Sequence, residues 1–189
     1  RAVSSIGTKS VAKCSFCSLN DSYGNHTLVL KNGATLRVDG DIVVNSETIS
    51  GLLRFREKHP RNIITVVEVQ NPREFGVITV GKDDLVTAID EKPERPAGNL
   101  VNAGLYLFSP EIFPAIARTP PSPRGEFEIT DTLRLLLAEK KVFAFVSKAP
   151  WVDVGRPWDL LRANELLLRG LQPSMKGEVE PLATLKGQV

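Results

Sequence analysis

Histidine and cysteine are scarce in this sequence of 189 residues, which contains two of each. Two cysteines cannot supply a disulfide scaffold. Cys14 and Cys17 form a single C-x-x-C pair, which is short of the four ligands that a structural zinc site needs. No thioredoxin-like pattern surrounds the pair. We therefore interpret these cysteines as two thiols of a loop, with zinc binding or redox chemistry as the alternative.

Long apolar runs and a marked charge excess are also absent. No apolar stretch reaches the roughly 18 residues that cross a bilayer, and the first 19 residues lack the apolar region of a secretory signal. The 24 Lys and Arg residues against 22 Asp and Glu residues give a net charge of +2. This charge is too small to argue for nucleic acid or an anionic membrane as a partner. We therefore expect a cytoplasmic protein with neither partner.

The order of strand-like and helix-like segments indicates an α/β fold. A β-branched run over residues 36–44 predicts a buried strand with a polar tip. A helix follows that Asn45 or Ser46 can cap and that stops before Pro60, and residues 63–69 predict a second strand. Strand, helix and strand at this spacing form a βαβ unit, which predicts a largely parallel sheet with a right-handed crossover.

The rest of the chain continues this alternation, and its two ends depart from it. The pattern predicts a hairpin around residues 81–84, strands over 100–108 and 142–146, and helices over 110–117, 128–140 and 157–169. Residues 1–34 show no periodicity and predict a loop. From Gly177 onward, small and aliphatic residues alternate with a six-residue step from Val179 to Leu185, which is typical of a hexapeptide β-helix. An ordinary tail is the alternative.

Two carboxylate positions predict a metal site. Asp41 lies in the sequence Asp39-Gly40-Asp41, at the carboxyl end of the first predicted strand, where open α/β sheets bind ligands. Asp153 lies between apolar residues and a glycine, which places it at a strand end. If the two carboxylates converge, they can hold one Mg²⁺ beside phosphate groups. A solvated turn at Asp41 and a helix cap at Asp153 are the alternatives.

Three charged residues lie in or beside Pro-rich loops and suit a phosphorylated ligand. Lys92 is a compact charge for a phosphate, and Glu91 can accept hydrogen bonds from sugar hydroxyls. Arg124 can donate paired hydrogen bonds to a phosphate. Surface-loop residues without a ligand are the alternative at each position.

Small or polar residues interrupt two apolar strands. Asn102 and Gly104 break the strand over residues 100–108, and Gly76 opens the predicted hairpin. Glycine inside a strand often marks the close approach of a ligand or of another backbone. We therefore include all three residues in the candidate substrate site.

Taken in order, six short motifs resemble the sugar-1-phosphate nucleotidylyltransferase family. The resemblance covers residues 36–189 and is strongest to prokaryotic and archaeal members with a left-handed β-helix after the catalytic domain. The motifs are Val38-Asp39-Gly40-Asp41, Phe75-Gly76-Val77, Glu91-Lys92-Pro93, Val101-Asn102-Ala103-Gly104, the run from Arg124 to Asp131, and Trp151-Val152-Asp153-Val154-Gly155.

The resemblance implies a fold and a division of the chain. It implies a Rossmann-like domain with a mixed, mostly parallel sheet and helices on both faces. Residues 35–170 would be the sugar-phosphate-binding part of this domain, and residues 171–189 would hold the linker and first coil of the β-helix. Residues 1–34 stay unassigned. We also expect a homo-oligomer, since an incomplete β-helix leaves an apolar edge to cover.

The resemblance also implies roles for the candidate residues. Asp41 and Asp153 are similar to the family's two metal-binding carboxylates, and Lys92 is similar to its phosphate-binding lysine, with Arg124 beside it. The residues that would hold the sugar are Gly76, Glu91, Asn102 and Gly104. The family reaction joins a sugar-1-phosphate to a nucleoside triphosphate and releases pyrophosphate, with Mg²⁺ as cofactor.

The sequence departs from the family at its N-terminus. Residues 1–35 hold no Gly-rich G-x-G-T-R pattern for the triphosphate, and Ile6-Gly7-Thr8-Lys9 is a faint echo of it. We therefore expect this chain, as printed, to bind nucleotide poorly and to turn over slowly or not at all. The alternatives are a non-catalytic module that senses sugar phosphates or nucleotide sugars, and a metal-dependent glycosyltransferase.

Overall fold

A computed structural model describes residues 26–29, 33–123, 125–139 and 141–169 of the chain. Cys14, Cys17, Arg124 and the expected β-helix coil lie outside these residues. None of the helices in the described part has the length and apolarity that crossing a membrane requires.

Nine strands and four α-helices make up the described part of the chain. The strands are β1 (His26–Val29), β2 (Thr35–Val38), β3 (Ile42–Val44), β4 (Asn62–Glu68), β5 (Gly76–Val80), β6 (Val86–Glu91), β7 (Leu100–Phe108), β8 (Val142–Val146) and β9 (Trp151–Asp153). The helices are α1 (Ser46–Lys58), α2 (Ile112–Arg118), α3 (Ile129–Leu137) and α4 (Asp159–Arg169).

The main sheet is mixed and carries the strand order β1-β2-β7-β4-β8, with the β5–β6 hairpin joined to β7. The predicted strands β2 and β4 run in the same direction, because both are antiparallel to β7, which lies between them. The α/β class is confirmed. The pairing differs from the expected mostly parallel arrangement, since β4 and β8 form a parallel pair and the other described pairs of this sheet are antiparallel.

Two expectations about the first strands are wrong. Residues 26–29 lie in the expected loop but form β1, which pairs with β2. Residues 36–44 form two strands, because the chain turns at Asp39, whose carbonyl accepts a hydrogen bond from the Ile42 amide at 3.1 Å. After this turn β3 leaves the main sheet and pairs with β9. Both errors concern pairing partners distant in sequence, which local periodicity does not reveal.

Helices cover both faces of the main sheet, as expected. Alternate residues of a strand point to opposite faces, so neighbours on β4 and β7 enter different cores. On one face, Leu52 of α1 packs with a cluster that includes Leu36, Ile63, Leu105 and Leu107. On the other face, α2 and α3 pack with a cluster that includes Ile64, Tyr106, Phe108, Ile112, Leu133 and Leu136.

The predicted helix ends are close to those observed. Asn45 caps α1, since its side-chain oxygen accepts a hydrogen bond from the Thr48 amide at 3.0 Å. The helix ends at His59, whose amide donates to the Phe55 carbonyl. The last helix starts later than predicted, at Asp159.

Candidate active site

The small β3–β9 sheet brings the two predicted metal-binding carboxylates together. Its register places Ile42 opposite Asp153, and the Val154 amide donates a hydrogen bond to the Asp41 carbonyl at 2.9 Å. Asp41 therefore lies directly beside Asp153, although 111 residues separate them in the sequence (153 − 41 − 1). The turn that takes β3 out of the main sheet makes this pairing possible.

The electrostatics of Asp153 show which charges lie near it. Burial is the main cause that raises the pKa of Asp153, and the negative charges of Asp41 and Asp159 raise it further. The cations of Lys92 and Arg156 oppose this shift. A half-buried carboxylate beside a second negative charge is stabilised in its ionised form by a bound cation.

Lys92 follows the last residue of β6 and has a backbone φ of 46°. A lysine rarely adopts this left-handed conformation. The Lys92 amide donates to the Phe75 carbonyl at 3.1 Å, which holds the turn against the start of β5. This turn places the exposed Lys92 where its charge acts on Asp153.

Next to the carboxylates, three strands form a small cradle. Gly76 of β5 pairs with Glu91 of β6, and Val77 pairs with Val101, which precedes Asn102 on β7. A Cβ atom at Gly76 would lie 2.9 Å from a carboxylate oxygen of Glu91 and 3.7 Å from the Cβ atom of Asn102. Gly76 therefore lets the Glu91 carboxylate approach the backbone of β5, and a methyl group at this position would displace it.

Asn102 is held in place by hydrogen bonds at both ends of its carboxamide. Its Nδ2 donates to the Tyr106 hydroxyl at 2.7 Å, and its Oδ1 accepts from the Gly104 amide at 3.1 Å. Gly104 has a φ of 68°. A Cβ atom there would lie 2.6 Å from Cγ1 of Ile42, so the space beside Gly104 is filled by the chain itself.

Asp39 and Tyr106 lie beside the site, although their positions in the sequence predicted no role for them. The Tyr106 hydroxyl donates to Oδ2 of Asp39 at 3.4 Å, and Oδ1 of Asp39 lies 3.4 Å from Nε of Arg37. Burial raises the pKa of Asp39 to about 6, with Arg37 lowering it and Asp41 raising it. A tyrosine in a strand that is otherwise almost entirely apolar was the signal that could have drawn attention to this cluster.

Contacts between loops tie the carboxylate pair to the cradle. The Trp151 indole donates to the Ala103 carbonyl at 2.9 Å, and its ring meets Phe75 edge-on at 5.8 Å between centroids. On the surface, Arg156 donates to both carboxylate oxygens of Glu74 at 2.6 and 2.5 Å. These contacts connect the segment after β8 with β7 and with the segment before β5.

The donor set at this site fits magnesium bound together with substrate phosphates. Across the described ranges, no group of three or more His, Cys, Asp or Glu side chains could hold a metal by itself. Mg²⁺ is often bound by one or two carboxylates, with water and phosphate oxygens completing its shell. Asp41 and Asp153 match this mode. A groove of about 640 Å³ between α1 and the end of β8 has none of the site residues in its lining.

Comparisons with known proteins identify the family of this chain. The nucleotidyl transferase family model matches residues 21–170. The chain is 38% identical over 154 residues to the bifunctional protein GlmU of Methanocaldococcus jannaschii, covering 82% of this chain and 36% of that protein. It is 33% identical over 160 residues to a bifunctional sugar-1-phosphate nucleotidylyltransferase/acetyltransferase of Sulfurisphaera tokodaii, covering 84% and 39%. The chain thus spans less than half the length of these relatives.

Solved structures show the same fold at lower identity. A UDP-glucose pyrophosphorylase complexed with UDP-glucose aligns with a TM-score of 0.62 and 21% identity over 78% of this chain and 57% of that chain. The UTP-bound UGPase of Acinetobacter baumannii aligns with a TM-score of 0.59 and 21% identity over 70% and 49%. The family match covers most of the sequence, and we conclude that the chain belongs to the nucleotidyl transferase family.

Proposed function

We propose that this chain is the sugar-phosphate-binding part of a sugar-1-phosphate nucleotidylyltransferase. The observation that carries the proposal is the convergence of Asp41 and Asp153 within reach of the Lys92 charge. Beside them lies the cradle of Gly76 and Glu91. A phosphorylated sugar needs this combination, with a cation site for the phosphate and hydrogen-bonding groups for the hydroxyls.

Each side chain has a defined part in the proposed reaction. Glu91 and Asn102 would hold the sugar hydroxyls, and Gly76 would leave room for the ring. Lys92 would bind the sugar phosphate, with Arg124, which lies outside the described residues, as a second cation. An oxygen of the sugar phosphate then attacks the α-phosphorus of the nucleoside triphosphate, and pyrophosphate leaves with the electron pair of the broken bond.

Asp41 and Asp153 would hold the magnesium ion. When bound, Mg²⁺ would neutralise phosphate charge and orient the reacting oxygens. Both carboxylates need to be ionised for this role, and a bound cation would favour the ionised form of Asp153, which burial and the Asp41 charge disfavour. The contribution of the protein is positioning and charge neutralisation, without a covalent intermediate.

Calorimetry with each substrate separately tests the proposal. We expect binding of glucose-1-phosphate, N-acetylglucosamine-1-phosphate or mannose-1-phosphate in the presence of Mg²⁺. Glu91→Gln should weaken this binding, whereas Glu94→Gln, at an exposed position near the same strand end, should leave it unchanged. If none of the three sugar phosphates binds at millimolar concentration, the proposal fails.

A non-catalytic sensor is the second candidate. The printed sequence holds the cradle residues but no G-x-G-T-R pattern for a triphosphate. Sugar-phosphate binding without binding of nucleoside triphosphates would favour a sensor or a fragment of the enzyme, and binding of both with pyrophosphate release would favour the enzyme. Transfer of sugar from a ready-made nucleotide sugar to an acceptor would instead indicate a glycosyltransferase.

We further propose that the protein is a cytoplasmic homo-oligomer without nucleic-acid or membrane partners. In each chain, residues 35–170 would form the sugar-phosphate-binding part, and residues 171–189 would form the linker and first coil of a left-handed β-helix. Large apolar side chains more than half exposed on or just before α4 support the oligomer, namely Trp158, Leu160, Leu161, Leu167 and Leu168. Such an exposed apolar surface is typical of an interface. Light scattering after size exclusion measures the oligomeric state, and a monomer at micromolar concentration would contradict the expectation.

A further inference from the structure

Tyr106 carries a hydroxyl group into the protein interior next to the candidate site. The residue is completely buried, and its ring stacks on Phe108 with 5.2 Å between centroids. A buried hydroxyl costs free energy unless it is hydrogen-bonded, and a phenylalanine would fill nearly the same space. The hydroxyl therefore calls for an explanation beyond packing.

Two hydrogen bonds fix how the Asn102 carboxamide is oriented, and the Tyr106 hydroxyl accepts one of them. The Gly104 amide lies 3.1 Å from Oδ1 of Asn102 and can only donate, so the oxygen of the carboxamide has to face Gly104. This orientation directs Nδ2 of Asn102 at the Tyr106 oxygen, 2.7 Å away. The reversed carboxamide would place two donors against each other at Gly104.

Oδ2 of Asp39 is the hydrogen-bond acceptor for the Tyr106 hydroxyl. Because Asn102 donates to the tyrosine oxygen, the hydroxyl proton needs another acceptor, and Oδ2 of Asp39 lies 3.4 Å away. This distance is long for an O–H···O hydrogen bond, so Asp39 forms a weak hydrogen bond that orients the Tyr106 hydroxyl. Burial raises the pKa of Tyr106 well above its usual value, and Asp39 raises it further, so the hydroxyl stays a donor.

We propose that Tyr106 is a positioning residue that locks the carboxamide of Asn102 for the sugar, with Asp39 orienting the Tyr106 hydroxyl. The inference rests on the proposed role of Asn102 in sugar binding. In the locked carboxamide, one N–H of Nδ2 and one lone pair of Oδ1 stay available for sugar hydroxyls. Without the tyrosine hydroxyl, the carboxamide keeps only the Gly104 hydrogen bond of these two, so its terminal torsion covers a broader range of angles and the Nδ2 donor is held less firmly for the sugar.

Binding measurements on Tyr106→Phe test the effect on the sugar. We expect the affinity for sugar-1-phosphate to fall about three- to tenfold, the effect of one hydrogen bond, with the affinity for inorganic phosphate unchanged. Thr119→Val is the matched control, because it removes a buried hydroxyl with partners at 3.0 and 2.8 Å between α2 and α3. Equal losses for sugar phosphate and inorganic phosphate would indicate general damage and overturn the inference.

The side-chain amide protons of Asn102 provide a test that needs no ligand. In the free protein, the Nδ2 proton of Asn102 that is hydrogen-bonded to the Tyr106 oxygen should exchange with water more slowly than the other Nδ2 proton. The NMR signals are assigned by their loss in Asn102→Asp. Tyr106→Phe should abolish this difference, and Thr119→Val should keep it. If the wild-type chain binds no sugar phosphate, the proposed function fails, and this measurement still decides whether Tyr106 positions Asn102.

Variants of Asp39 provide a second line of evidence should Tyr106→Phe not fold. Asp39→Ala removes the acceptor, and we expect the same rise in Asn102 amide exchange. Asp39→Asn keeps an acceptor oxygen, and it should restore slow exchange and most of the sugar-phosphate affinity. Unchanged amide exchange in both Tyr106→Phe and Asp39→Ala would disprove the inference.

Discussion

Replacing Gly76 by alanine should abolish most sugar-phosphate binding with little loss of stability. The new Cβ atom would lie 2.9 Å from the Glu91 carboxylate, and an ordinary contact begins at about 3.4 Å. Glu91 therefore has to move by about 0.5 Å (3.4 − 2.9), which takes a hydrogen bond of about 2.8 Å beyond its favourable range. Gly76 does not have a positive φ, so the alanine backbone is unstrained.

The expected magnitude follows from the charge of Glu91. A hydrogen bond to a charged group contributes about 1.5–3 kcal/mol, which corresponds to a loss of about ten- to hundredfold in affinity. Stability should change by less than about 1 kcal/mol, because the displaced atom is the end of a flexible side chain. The lower conformational entropy of unfolded alanine also offsets about 0.4–1 kcal/mol.

Calorimetry with glucose-1-phosphate, N-acetylglucosamine-1-phosphate and mannose-1-phosphate, together with thermal unfolding, measures both quantities. Gly98→Ala is the matched control, because a Cβ atom at Gly98 meets nothing within 4 Å. Full affinity in Gly76→Ala for the sugar phosphate that the wild-type chain binds would refute the placement of the sugar in this cradle. A parallel loss of affinity and stability would show that the residue acts on the fold.

Three further predictions concern stability and metal binding. Gly104→Ala should destabilise the fold by about 2–4 kcal/mol in chemical denaturation, since it adds a clash at 2.6 Å to the cost of positive φ. The control Gly125→Ala has a φ of 78° but open space around the new Cβ atom, and it should lose about 1 kcal/mol. Equal losses of stability in the two variants would contradict the role of the clash. In EDTA, the free energy of unfolding should fall as pH rises from about 4 through 6. Folding raises the pKa of Asp39 from 3.8 to about 6, so the folded state holds this proton more tightly than the unfolded state. A pH-independent stability of the wild type, or the same pH dependence in Asp39→Asn, would contradict this prediction. Asp153→Asn should abolish Mg²⁺-dependent stabilisation by sugar phosphate, and the exposed Asp90→Asn should keep it.

Much of the secondary structure follows from local patterns. The mostly apolar run of β7 and the β-branched residues of β8 predicted both strands with the observed bounds. Capping is a local property, so the sequence predicted Asn45 or Ser46 as the cap of α1, and the structure has Asn45 there. The strand β1 escaped prediction, because its formation depends on the free edge of β2.

The candidate site divides along the same line. The residue types of Asp41, Asp153 and Lys92 predicted a divalent cation and a phosphate, since carboxylate oxygens suit Mg²⁺ and an ammonium group suits a phosphate. The participation of Tyr106 and Asp39 could not be predicted, because a tyrosine in an apolar strand is usually a packing residue. The role of its hydroxyl depends on hydrogen-bond partners on β7 itself and on the turn after β2.

By itself, the sequence determined most of the strands and helices after β3, the chemistry available at the strand ends, and the family to which the chain belongs. These properties depend on residue type and short-range spacing. Tertiary structure alone decided that β7 lies between β2 and β4, and that β3 leaves the main sheet to pair with β9 beside Asp153. Hydrogen bonds between distant backbone segments determine these pairings. Because a backbone amide is the same group at nearly every position, the residue types do not reveal which segments will pair.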